Sequence, residues 1–186
     1  MSTQTHWLCP VCVALLLTGC GVPHTRTIHV SGEVAYEPLL IGAWETTIED
    51  SQKLTFDVSK WSHDDNSYRF VVNAEHGKKP LCEGRAYLSR IEDRQYLTVG
   101  SADSEQQVPR YNTIVVDELQ PKLQVRILNR QWLLRTIKAD PTVITHQWFP
   151  NGDFLITATT EELKAFYQKH LKEDAPWEKF ILSRKK

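Results

Sequence analysis

The side chains able to do chemistry are few in this chain, and they are scattered. The histidines beyond position 20, His24, His29, His63, His76, His146 and His170, form no ligand-spaced set, so each is expected at the surface or in a turn rather than on a metal. His63-Asp64-Asp65-Asn66 is the best polar constellation, because carboxylates and an amide can hold a hard cation. It is too short for an EF-hand loop and lacks that loop's glycine and closing glutamate, so a solvated loop between strands is the better reading. Glu49-Asp50, Glu92-Asp93 and Asp117-Glu118 are sequence neighbours. On a strand, neighbours point to opposite faces and cannot act as an acid/base pair on one substrate. There is no Gly-x-Ser-x-Gly elbow, His-Glu-x-x-His or phosphate loop. The expectation is a protein that is not an enzyme, with no catalytic residues, no cofactor and no metal. Trp61, Trp148 and Trp177 could stack on sugars, although buried tryptophans are commoner. Cys82 alternates with Gly84 and Ala86, a small-residue face that marks either close packing or room inside a barrel.

Four cysteines sort by position. Cys9-Pro10-Val11-Cys12 has the spacing of a redox motif but lies in an apolar segment without βαβ context. The apolar run from Val11 to Leu17 is shorter than the ~20 residues needed to span a bilayer, and it ends at Leu17-Thr18-Gly19-Cys20. That ending resembles the lipobox of bacterial lipoprotein precursors, in which cleavage before the cysteine is coupled to diacylglyceryl attachment at its sulfur. The segment before it departs from the family in having no Lys or Arg. The alternative is an ordinary secreted protein with a cysteine at the junction. The resemblance implies a signal peptide over 1–19, palmitate-type acylation at Cys20 and attachment to the membrane through acyl chains. Gly21 in place of Asp implies sorting to the outer membrane, with the body on the periplasmic side. Several acyl chains at about 0.8 kcal/mol per buried methylene make such an anchor effectively permanent. Cys82 is then the one thiol left, so no internal disulfide is expected.

All 22 Lys and Arg and all 23 Asp and Glu follow Cys20, for a formal net charge of −1. No charge block suggests nucleic acid or a polybasic membrane patch. Residues 20–38 carry Pro23, Gly32 and Pro38 with little periodicity and read as a tether with roughly 20–25 Å of reach, although Val34-Ala35-Tyr36 could add an edge strand.

Beyond the tether the dominant period is two. Leu54, Phe56 and Val58 alternate with Thr55 and Asp57, and Leu123, Val125 and Ile127 alternate with Gln124 and Arg126. Turn signals recur at short intervals, and Asn151-Gly152 is the strongest hairpin signal. Eight to ten strands are predicted, beginning near 41, 54, 67, 80, 94, 110, 122, 143, 154 and 179. Two helices interrupt them. One runs over 130–139 behind Asn129, with Trp132, Leu133 and Ile137 buried. The other runs to about 172 from the Thr159/Glu162 capping box, with Leu163, Phe166, Tyr167 and Leu171 as its apolar stripe. One domain, 39–186, is expected, with a mainly β fold: an antiparallel lipocalin-like barrel with two short helices.

That fold rests partly on Gly42-Ala43-Trp44, which resembles the opening Gly-x-Trp of lipocalins. In that family the tryptophan packs at the closed end of an eight-stranded barrel beneath an arginine from near the chain's end. The resemblance implies that role for Arg184. The family's Thr-Asp-Tyr-like motif is not evident, and the helix near Trp132 is inserted between strands, which also departs from the plan. A wider resemblance, to small uncharacterised bacterial lipoproteins, brings no activity. The combined expectation is a membrane-anchored binding module for an apolar or amphipathic ligand such as a lipid. The alternative is a structural lipoprotein that docks an envelope partner.

Overall fold

Alternating apolar and polar residues can form half-buried strands, and the long meander of such runs in this chain closes on itself. The computed structural model describes residues 22–47, 53–62, 65–75, 77, 79–101 and 110–185. Its strands are β1 (Val34–Ala35), β2 (Gly42–Thr47), β3 (Lys53–Lys60), β4 (Ser67–Ala74), β5 (Cys82–Ile91), β6 (Arg94–Ser101), β7 (Tyr111–Glu118), β8 (Leu123–Leu128), β9 (His146–Trp148), β10 (Phe154–Ile156) and β11 (Trp177–Arg184). The helices are α1 (Arg130–Ala139) and α2 (Thr160–His170).

Strands β2 to β8 run antiparallel in sequence order, β11 pairs with both β8 and β2, and β5 pairs with β6, so eight strands close into a barrel. The lipocalin-like barrel expected from the sequence is the observed fold. Of the other strands expected, β9 and β10 form a small hairpin outside the barrel, and β1 lies against Leu88 and Ser89 of β5 as an outer strand. Asn151-Gly152 does turn the β9–β10 hairpin, with Gly152 at φ +77°. A local turn signal carries no information about which sheet its strands will join.

Closure is uneven. The β11–β8 ladder runs from Trp177↔Leu128 to Leu182↔Leu123, whereas among the described residues β11 pairs with β2 at Ser183↔Glu45 and Arg184↔Trp44 alone. Two further bonds stitch this seam: Thr46 Oγ1 donates to the Ile181 carbonyl at 3.0 Å, and Lys185 N donates to the Ala43 carbonyl at 3.0 Å.

Two apolar cores result. One fills the barrel, with Trp44, Tyr68, Phe70, Leu88, Ile114 and Val125 among its side chains. The other lies on the outer face of β6, β7, β8 and β11, beneath the 129–176 insertion, and joins Tyr96, Val115 and Trp177 to Leu133, Ile137, Phe154, Leu163 and Phe166. Both helices start as their sequences require. Asn129 accepts from Trp132 N at 2.7 Å, and the Thr159/Glu162 capping box is complete at 3.2 and 2.7 Å.

Residues 22–38, read from composition as a flexible tether, are instead packed on the barrel. Val22, His24 and Ile28 are buried, and His24 bridges to both Tyr111 and Ile156. The segment lacks periodicity because its partners are distant strands that differ from residue to residue. Cys20, with the rest of 1–21, lies outside the described residues, as do Glu49-Asp50, His63-Asp64 and His76. Among the described residues no helix is long and apolar enough to cross a membrane.

Candidate ligand cavity in the barrel

The rim at the start of β2 is plugged by residues from opposite ends of the domain. Pro38–Leu40 forms a short 3-10 turn across the barrel end, with Leu40 buried. Trp44 Nε1 donates to the Leu40 carbonyl at 2.9 Å, which satisfies the indole's one polar atom. Arg184 lies over the ring, and its guanidinium donates to the carbonyls of Ile41 and Leu39 at 2.5 and 2.7 Å. Gly42 sits beneath it at φ +134°, where a Cβ would collide with Nη1 of Arg184. Gly42, Trp44 and Arg184 therefore form one assembly. Tyr68 completes this end. Its hydroxyl receives the Glu37 N–H at 2.6 Å, and burial pushes its pKa up to about 12.

Above the plug a cavity of about 60 Å³ remains. Its walls are Leu54, Phe56, Phe70, Ala86, Leu97, Ile114, Val125 and Phe180, with Thr46 beside them and no charged side chain. Phe56 and Phe180 hold interior positions by alternation yet are only half-buried, unlike Leu54, Val58 and Leu182 on the same strands. Phe180 lies beyond the two residue pairs of the β2–β11 seam and Phe56 is the β3 ladder partner of Trp44 within it, and the apolar interior reaches solvent beside these two half-buried rings. The volume is several times what one water needs, but the walls offer almost no polar partner, so it suits a slender apolar group.

Of the small-residue face on β5, Gly84 is where the strands pack closest, because a Cβ there would collide with the Gly100 carbonyl. Ala86 lines the cavity. Cys82 is half-buried, and burial pushes its thiol up to about 11.

The remaining polar candidates are dispersed. His24 is buried: its Nδ1 donates to the Arg26 carbonyl and its Nε2 accepts from Thr113 Oγ1 at 2.9 Å. His146 Nδ1 donates to the Ile144 carbonyl at 2.8 Å, and His170 lies against Trp132 and Phe166 with Nδ1 3.1 Å from Glu173. Among the described residues no three His, Cys, Asp or Glu side chains gather as a metal site. Asp65 is paired to Arg85, and Asp117 holds Arg126 through two 2.6 Å bonds. The three tryptophans make no common platform: Trp177 is buried with Nε1 on the His170 carbonyl, and Trp61 and Trp148 are each 41% exposed on separate elements. Sequence reasoning missed that Phe56 and Phe180 stay half-exposed, since alternation assigns a face and says nothing of how deeply that face is covered.

These features define an antiparallel lipocalin-like barrel with an apolar interior, plugged at one rim by an arginine–tryptophan pair. Compared with family models, curated proteins and solved structures, the chain matches none.

Proposed function

We propose that this protein is a lipid-anchored envelope lipoprotein whose barrel takes up one slender apolar chain, such as the acyl tail of a lipid, without catalysing a reaction. The observation that carries this reading is the apolar cavity of about 60 Å³ with its half-exposed Phe56 and Phe180. Left empty, a void of that size costs about 1.4 kcal/mol, at about 24 cal/mol per Å³. An acyl segment would recover that loss. The N-terminal segment adds support. Val22 is buried two residues after Cys20, and His24 pairs with Tyr111 at the rim opposite Trp44. Acyl chains on Cys20 would therefore bring the bilayer to that end of the barrel.

Two measurements test the proposal. Wild-type protein should fractionate with membranes and incorporate a palmitate label, and Cys20→Ala should lose both. An unlabelled wild type, with Cys20→Ala still in the membrane fraction, would refute the anchor. A fluorescent fatty acid titrated into full-length Cys20→Ala should bind saturably at one site, and adding Ala86→Leu should weaken it about tenfold or more.

The narrowness of the cavity favours a second reading, a filled barrel that serves as a docking body for an envelope partner. No fatty-acid binding, together with a rise in stability for Ala86→Leu, would select that reading.

A further inference from the structure

The molecule has a second concavity, on the outside of the barrel and separate from its interior. It is a groove of about 570 Å³ between the packed N-terminal segment and the outer faces of β4, β5 and β7. Thr27 and His29 line one side, and Asp65, Ser67, Tyr87 and Tyr111 line the other. This volume falls within the range of small-molecule sites.

The polar side of the groove is held rigidly. Ser67 N donates to Asp65 Oδ1 at 2.8 Å, the Ser67 hydroxyl donates to the same oxygen, and Arg85 Nε donates to Ser67 Oγ at 2.9 Å. Arg85 also forms an ion pair with Asp65. Its guanidinium carbon lies 5.5 Å from the ring centre of the exposed Trp61 and 5.0 Å from that of Tyr87, and Tyr87 lies 5.4 Å from the His29 ring. A continuous row, Trp61–Arg85–Tyr87–His29, thus runs from solvent into the groove. His29 is 8% exposed, and its Nδ1 is buried with no hydrogen-bond partner among the described residues. Burial holds its pKa below the usual imidazole value, which favours the neutral ring.

Charge and shape together narrow the ligand. Asp65 and Arg85 cancel, and the nearby Glu33 and Lys164 cancel through a 2.6 Å pair. A phosphate, polyanion or cation would find no uncompensated partner. A purely aliphatic ligand would strip water from Asp65 and Asn66 without replacing its hydrogen bonds. What fits is an uncharged ring with one apolar face, for the tyrosines, and an edge of hydroxyls, for the carboxylate and amide groups. We infer that this groove is a binding site for a short, uncharged oligosaccharide, with Tyr87 and Tyr111 as the ring-facing surfaces and Asp65 and the exposed Asn66 as the hydroxyl-reading groups, Ser67 being the buried support that fixes Asp65. The inference does not depend on the barrel cavity being occupied.

The test uses full-length protein in a detergent without sugar headgroups, titrated separately with maltotriose, cellotriose and chitotriose and followed by tryptophan fluorescence and calorimetry. At least one should bind saturably. Tyr87→Ala and Asp65→Asn should each weaken that binding about tenfold or more, while Ala86→Leu inside the barrel leaves it unchanged. Asp65→Asn keeps the side chain's size, so it stands as a test even if Tyr87→Ala fails to fold. Absence of binding by all three up to about 10 mM would overturn the assignment. So would binding insensitive to both groove substitutions, or tighter binding of the anionic sialyllactose than of any neutral trisaccharide.

Discussion

The guanidinium carbon of Arg184 lies 4.1 Å from the ring centre of Trp44, joining the last strand of the barrel to the first. The same pair is one of the two residue pairs that the described residues make in the β2–β11 ladder. A cation over an indole face, two carbonyls capped by one guanidinium and the closure of the barrel therefore meet at a single contact. Substitutions there test closure of the whole barrel.

Arg184→Ala should destabilise the protein by about 1–2 kcal/mol in urea unfolding, since it removes the cation–π contact and leaves the Leu39 and Ile41 carbonyls to solvent. Gly42→Ala should cost a comparable amount, about 1–2 kcal/mol, because it strains a positive φ and displaces the same guanidinium. The two effects should be less than additive, since each loosens one assembly. Independent, fully additive losses would show that the plug is not a unit.

Burial lowers the His24 pKa to about 4, with the hydrogen bond to Arg26 opposing the shift. The unfolded chain, with an imidazole near 6.5, therefore binds a proton that the folded chain refuses. The stability His24 confers is full above pH 6.5 and falls as pH drops towards about 4. At about 1.4 kcal/mol per pKa unit the loss is roughly 3 kcal/mol. His24→Gln should lower stability at pH 7 but flatten this window. Urea midpoints for both proteins from pH 7 to pH 4 measure it, and the difference between the curves removes the carboxylates' shared contribution. Parallel curves would contradict the assignment.

Cys82 should be a slow nucleophile. With its thiol at about 11, the thiolate fraction at pH 8 is about one in a thousand. Disulfide-exchange labelling of a Cys9→Ser, Cys12→Ser, Cys20→Ala variant, which leaves Cys82 as its one thiol, should be slow in buffer and complete quickly in guanidinium chloride. Equal rates in the two would mean that β4 and β5 do not bury the thiol.

Much of the barrel was legible because alternation and capping are local. Leu54-Thr55-Phe56-Asp57-Val58 has to be a strand with two unlike faces, and Thr159 with Glu162 has to start a helix, whatever surrounds them. The Gly42-Ala43-Trp44 motif and the terminal Arg184 could likewise be named in advance, and the structure brings them together at the plug. Asn151-Gly152 marks the limit of local reasoning. It correctly indicates a turn, yet the hairpin belongs to the insertion and not to the barrel.

By itself the sequence determined the strand-rich architecture, the helix starts, the near-neutral charge and the single cysteine after position 20, since each depends on residue type and short-range order. Only the tertiary structure decided the rest. It packed residues 22–38 against Tyr111 and Ile156, paired β2 with β11 at two positions among the described residues and left Phe56 and Phe180 half-exposed. It also gathered His29, Asp65, Tyr87 and Tyr111 around one groove. The physical reason is common to all of these. Periodicity fixes the face a side chain takes, but which faces meet depends on strand register and the closure of distant segments, and no local run of residues encodes those pairings.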